Sequence, residues 1–188
     1  MKLILVRHGE TLGNIAQIHE GGTIGGKLSI RGKEQAKRLA KRLKDDKFDA
    51  IFSSPLNRAK QTLKEIKKYH KNTPITFLKE MRELDRGDWA GKKISECDLS
   101  NLPKNLETYP ELKKRAKKAL DIAYKEYPTG TVLFVAHGWF NKALYSNIIE
   151  KDMEEIKDFR NDNTAVNIFE IFEDRKHKIH LINCTKHL

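Results

Sequence analysis

The strongest constraint in this chain is an alternation. Four short apolar runs, KLILV (2–6), FDAIFSS (48–54), ITFLKEM (75–81) and TVLFVAH (131–137), are separated by segments of helical periodicity. Each run has strand length, carries β-branched or aromatic residues, and is bounded by turn signals. Ala36, Leu39, Ala40 and Leu43 recur at i, i+3, i+4 and i+7, which predicts a helix over 31–44. Further helices are expected over 55–70, with Pro55 in the first turn, over 107–127, closed by Pro128 and Gly130, and after His137. An order of β-α-β-α-β-α-β-α builds a mostly parallel sheet with helices on both faces. AVNIFEIF (165–172) and HKIHLINC (177–184) flank the polar turn EDRK and read as a hairpin at the sheet edge, one strand antiparallel. The expected fold is an α/β three-layer α/β/α sandwich with a mostly parallel sheet and an antiparallel edge strand. No repeat, low-complexity linker or second core appears, so residues 1–188 are expected to form one domain.

Composition narrows the function classes. Hydrophobic residues make up 38% and charged residues 34%, as in a soluble chain with a heavily charged surface. No apolar run approaches the roughly 18–20 residues that span a bilayer. MKLILV is too short for a signal peptide and runs straight into Arg7-His8-Gly9, so no export signal is expected. Cys97 and Cys184 match no metal-ligand spacing and give no disulfide framework, which suits a reducing cytoplasm. The net charge of +11 steers anions toward the surface. Much of it lies on helical segments such as KEQAKRLAKRLKDDK and ELKKRAKKALDIAYKEY, where a solvated face is the default. A nucleic-acid module would pair such runs with aromatics and a known motif, and neither is present. Neither nucleic acid nor membrane is expected as a partner, and a monomer or a homodimer is equally compatible.

Ligands of open α/β sheets bind at the carboxyl ends of the strands. Just past the four runs stand Arg7, His8, Gly9, Thr11 and Asn14, then Ser53, Ser54, Pro55 and Arg58, then Arg82, Glu83 and Asp85, then His137 and Gly138. Arginines, histidines and carboxylates thus converge on one edge. A zinc site needs three or four His, Cys or carboxylate ligands, and neighbouring arginines repel a cation. Arginine instead matches phosphate oxygens bidentately. The pattern fits an anionic phosphoryl group, with no metal and no cofactor. Gly9 and Gly138 let the backbone approach it, and helix starts after Pro55 and Gly138 aim N–H groups at it. The irregular stretch 84–106 and the segment 19–27 are expected to form the rim. Arg86, Lys92, Lys93 and Lys27 there favour a second negative charge on the substrate.

These residues resemble the histidine phosphatase superfamily, also called phosphoglycerate mutase-like. The match rests on Arg7-His8-Gly9 within VRHGETxxN, LSIRGKEQA (28–36), SSPLNRAKQT (53–62), MRELDRGDWAG (81–91) and VLFVAHG (132–138). The last fifty residues match only in outline. The resemblance implies His8 as the nucleophile that forms a phosphohistidine. It implies Arg7, Arg58 and His137 around the phosphoryl oxygens, with His137 working as a cation beside the phosphate charge. Glu83 is implied as the acid that protonates the leaving alcohol and then activates water. Asp85, two residues on, remains a rival for that role, its other reading being a turn residue before Gly87. Asn14, the Gly138 amide, Thr11 and Arg86 complete the substrate-binding set, and for Thr11 a role in capping and bracing the loop is the alternative. Ser53 and Ser54 are read as turn or cap residues. Trp89 is read as packing under the loop or lining the mouth, and His19, His70, His177 and His180 as surface or edge-strand residues. Cofactor-dependent phosphoglycerate mutases carry E-R-H-Y-G where this chain has R-E-L-D-R-G-D-W-A-G. The implied activity is therefore metal-independent hydrolysis of a small phosphate ester, with mutase-type transfer or phosphoprotein dephosphorylation as alternatives.

Overall fold

The computed structural model describes residues 1–174 and 176–188. Strands β1 (Lys2–Arg7), β2 (Ala50–Ser53), β3 (Ile75–Phe77), β4 (Thr131–Ala136), β5 (Val166–Glu170) and β6 (Lys178–Cys184) form one sheet. Their order is β3-β2-β4-β1-β5-β6. The first four pair in parallel. β5 runs antiparallel to β1, and β6 antiparallel to β5. The hairpin therefore forms as expected, with its antiparallel strand one place in from the edge. Arg175, in the EDRK turn, lies outside the described residues.

The helices are α1 (Leu12–Ile15), α2 (Ile30–Arg42), α3 (Asn57–Ile66), α4 (Tyr109–Glu126) and α5 (Gly138–Ile148). From β1 to β2 to β3 the chain steps one way across the sheet, and toward β4 it returns. Right-handed crossovers then put α2 and α3 on one face and α4 on the other. Alternation along the strands supplies both cores. Leu3, Leu5, Val132, Phe134 and Ala136 face α4 and α5. Ile4, Val6, Leu133 and Val135 face α2 and α3. On α2 the inward face is Gly32, Gln35, Ala36, Leu39 and Ala40, the spacing of an amphipathic helix.

Some boundaries differ from the sequence reading. β3 ends at Phe77, and 79–81 form a 3-10 turn, because this edge strand is largely solvent-facing and buries little. Helix α3 starts at Asn57, not Pro55: the Ser54 hydroxyl accepts the Leu56 N–H and holds a turn ahead of the helix. Helix α1 carried no periodic signal. It is a single turn closed by a reciprocal cap between Thr11 and Asn14.

Candidate active site

Strand register assembles the site. Arg7 pairs with Ala136 across β1 and β4, and His8 N donates to Ala136 O, so His8 lies beside His137. Their rings are 5.1 Å apart. Ser53 pairs with Val135 across β2 and β4, which brings Ser54 against His137 from the other side. Arg58 follows on the first turn of α3 and points back under the strand ends. The carboxyl ends of β1, β4 and β2 thus carry a basic cluster at the point where the strand order reverses.

His8 is held in one tautomer. Its Nδ1 lies 2.7 Å from the Gly9 carbonyl and can only donate there. Its Nε2 lies 3.2 Å from Arg58 Nε, an obligate donor, so Nε2 carries a lone pair. Burial, with Arg58 and Arg7 nearby, pushes the His8 pKa well below the ordinary histidine range. Burial, Arg58, His8 and Arg7 do the same to His137. In the ligand-free protein both rings are neutral. The cationic His137 expected from the sequence therefore requires an anion beside it to bring the proton. Its Nε2 contacts the Ser54 hydroxyl at 2.7 Å. That hydroxyl accepts from Leu56 N, and with its own proton donated to the ring the His137 proton is assigned to Nδ1. Nδ1 of His137 and Nε of Arg7 are buried and have no hydrogen-bond partner among the described residues. Orphaned buried donors of this kind are rare.

Arg7 and Arg58 are braced by backbone carbonyls. Arg7 donates to Asn161 O at 2.7 Å. Arg58 donates to Ile24 O at 2.9 Å and Gly21 O at 2.8 Å. The Asn163 amide reaches His8 O, and Thr164 N reaches Arg7 O and His8 O. Thr164 does so at φ +59°, a strained backbone for a β-branched residue. Gly9 is packed so closely that a Cβ there would stand 2.4 Å from Gly32 O.

Glu83 caps α5. Its Oε1 accepts from Leu84 N, Trp139 N and Phe140 N at 2.9–3.1 Å. A Cβ on Gly138 would lie 3.6 Å from Arg7 Nε and 3.7 Å from Glu83 Oε2, so Gly138 leaves open the space between guanidinium and carboxylate. Asp85 instead accepts from Gly87 N, the turn role. Arg115 anchors the Glu83 segment from behind. It donates to Glu80 O, Arg82 O and Glu83 O while gripping Glu107, whose Oε2 accepts Asp85 N.

The remaining expected residues divide. Asn14 uses its side-chain oxygen in the α1 cap, and its amide nitrogen makes no hydrogen bond among the described residues. Thr11, expected in the substrate set, has both hydroxyl functions committed within the loop: it accepts from Asn14 N and donates to Glu20. Arg86 is half-buried at the rim, its guanidinium 5.2 Å over the Trp139 ring. Lys27, Lys92 and Lys93 are exposed. Trp89 packs beneath the loop, stacked on His19. His70, read as a surface residue, is buried against Phe48, its Nε2 at the Leu43 carbonyl. The sequence reading missed Glu20, Arg115, Asn161 and Asn163. Only the Thr108-Glu111 capping pattern, which fixes the start of the helix bearing Arg115, was open to detection.

A buried histidine among arginines at these strand ends is the arrangement of a known class. The chain belongs to the histidine phosphatase superfamily (branch 1), whose model matches residues 3–185. It is 35% identical to the uncharacterized phosphatase PhoE of Bacillus subtilis, over 98% of this chain and 95% of that protein. It is 30% identical to phosphoserine phosphatase 1 of Hydrogenobacter thermophilus, over 100% of this chain and 94% of that one. Among solved structures it is similar to a mutant phosphoserine phosphatase from Entamoeba histolytica in complex with phosphoserine. That likeness is 26% identical with a TM-score of 0.87, covering 100% of this chain and 98% of the other.

Proposed function

We propose that this chain, acting as one domain, hydrolyses a small phosphate ester through a phosphohistidine on His8, without a metal. The observation that carries this reading is the pair of orphaned donors, Arg7 Nε and His137 Nδ1, beside a histidine whose Nδ1 proton is fixed on Gly9 O and whose Nε2 lone pair faces Arg58 Nε. An acceptor-only ligand of phosphoryl type satisfies both. His8 Nε2 attacks phosphorus in line. The P–N bond forms as the P–O bond to the alcohol breaks, and the Glu83 carboxyl gives its proton to the leaving oxygen. Arg7, Arg58, His137, Asn14 and the Gly138 amide hold the phosphoryl oxygens, where charge grows in the transition state. The Glu83 carboxylate then takes a proton from water as its oxygen attacks phosphorus. The P–N bond breaks, returning neutral His8 with its Nδ1 proton on Gly9.

Among the described residues the Arg86 guanidinium makes no hydrogen bond or ion pair, only the contact over Trp139, and it supports a substrate with a second anionic group. Phosphoserine and 3-phosphoglyceric acid, both bound by the Entamoeba enzyme, each carry a carboxylate. The two free cysteines fit a reducing compartment such as the cytoplasm. No helix among the described residues is long and apolar enough to cross a membrane.

The test is hydrolysis of para-nitrophenyl phosphate with chelator present. Wild-type turnover should resist the chelator and vanish in His8→Ala. Undiminished turnover in His8→Ala would overturn the mechanism. A panel of phosphoserine, 3-phosphoglycerate and sugar phosphates, followed for both phosphate release and isomerisation, separates hydrolysis from mutase transfer.

A further inference from the structure

Glu20 is a buried carboxylate inside a pocket built for an anion. Its side chain is 9% exposed, beside an Arg58 side chain at 1%. Two glycines make room for it. A Cβ on Gly26 would lie 1.8 Å from Glu20 Oε1, and one on Gly13 would lie 2.5 Å from its Cγ. Thr11 Oγ1 donates to Oε2 at 2.8 Å and fixes the group.

The carboxylate does not aim Arg58. That guanidinium is oriented by hydrogen bonds to His8 Nε2, Ile24 O and Gly21 O. Glu20 Oε2 lies 3.9 Å from Arg58 Nε, beyond hydrogen-bond distance. What remains is charge. Glu83 first, and Glu20 after it, oppose the burial penalty on both Arg58 and Arg7, and Glu20 is the one that contacts the buried Arg58 side chain as an ion pair. It therefore favours the ligand-free pocket, in which two buried cations face neutral histidines. When a phosphoryl dianion enters, the same negative charge repels it.

We infer that Glu20 is a counter-charge that limits phosphate affinity and promotes release of inorganic phosphate. The inference rests on the phosphoryl-pocket reading above. Substrate and product share the pocket, so the effect appears in the affinity for both and not in the aim of the nucleophile.

The experiment compares wild type with Glu20→Gln and Glu20→Asp, using inorganic phosphate and vanadate as inhibitors of para-nitrophenyl phosphate hydrolysis. Glu20→Gln keeps shape and removes charge, so Ki for both anions should fall about tenfold. Glu20→Asp keeps the charge and should stay within about twofold of wild type. Without anion, Glu20→Gln should melt below wild type, and added phosphate should recover more of its Tm than in wild type. Unchanged or raised Ki in Glu20→Gln would overturn the inference. So would an unfolded variant that phosphate does not rescue, because the carboxylate would then hold the pocket's shape. Wild type unaffected by either anion would overturn the phosphoryl reading itself.

Discussion

At the residue scale, the two buried histidines set a pH dependence. Their folded pKa values are depressed below 6.5. The unfolded chain therefore binds more protons once pH drops through the ordinary histidine value. Stability of the ligand-free protein should fall as pH falls below about 6.5, by about 1.4 kcal/mol per pH unit for each ring. Urea unfolding at descending pH checks this, and His137→Gln should flatten the slope. His187, lowered to about 4 by burial, Arg42 and Arg38, adds to the trend in the same direction. An anion reverses the sign at His137. Binding of vanadate should take up a proton, visible as a buffer-dependent heat in calorimetry. The histidines and arginines were legible in the sequence because each directly follows a strand or opens a helix. Glu20 was not: it lies in a glycine-rich loop without periodicity, and only tertiary packing brings it to Arg58. His70 was misread for a related reason, since its partner, the Leu43 carbonyl, lies 27 residues away.

At the scale of elements, the alternation of apolar runs and amphipathic segments was enough to place every strand and the four longer helices. It could not place the supports that hold one element against another. Arg115 on α4 collects three carbonyls of the segment that carries Glu83, and its side chain is 20% exposed against 14% for Glu107. Arg115→Ala leaves Glu107 without its cation and those carbonyls without the guanidinium donor, and should cost about 3 kcal/mol in denaturant unfolding. It should also slow alkyl phosphates more than para-nitrophenyl phosphate, since a poor leaving group needs the acid. Vanadate affinity should hold, because the phosphoryl pocket lies on other elements. Likewise α2 meets the first loop backbone to backbone: a Cβ on Gly32 would stand 1.9 Å from Glu10 O. Gly32→Ala should displace the His8 loop and lower kcat, with far-UV circular dichroism unchanged.

At the scale of the whole molecule, the net charge of +11 surrounds a pocket for anions. Long-range attraction of this kind raises encounter rates and is screened by salt. For a substrate with a carboxylate and a phosphate, kcat/KM should fall about threefold between about 20 and about 200 mM salt, with kcat little changed. The fold class was legible at this scale because handedness and alternation leave few topologies. The 161–164 segment was not. Its contribution comes from entering β5 beside β1, where Asn161 and Asn163 close on Arg7 and His8.

Glu83 accepts the N–H groups of Trp139 and Phe140. In the proposed mechanism, the proton it exchanges is thus tied to the first turn of α5. Each arrival of that proton weakens the grip on the helix start, and each departure restores it. The Trp139 indole sits at this junction, stacked on Tyr109 and facing Arg86 and Lys142. It is one of two tryptophans in the chain. Under that mechanism the protein carries its own optical reporter of Glu83 protonation. With Trp89→Phe to silence the other, Trp139 emission should change in Glu83→Gln and should pulse once per turnover in stopped flow.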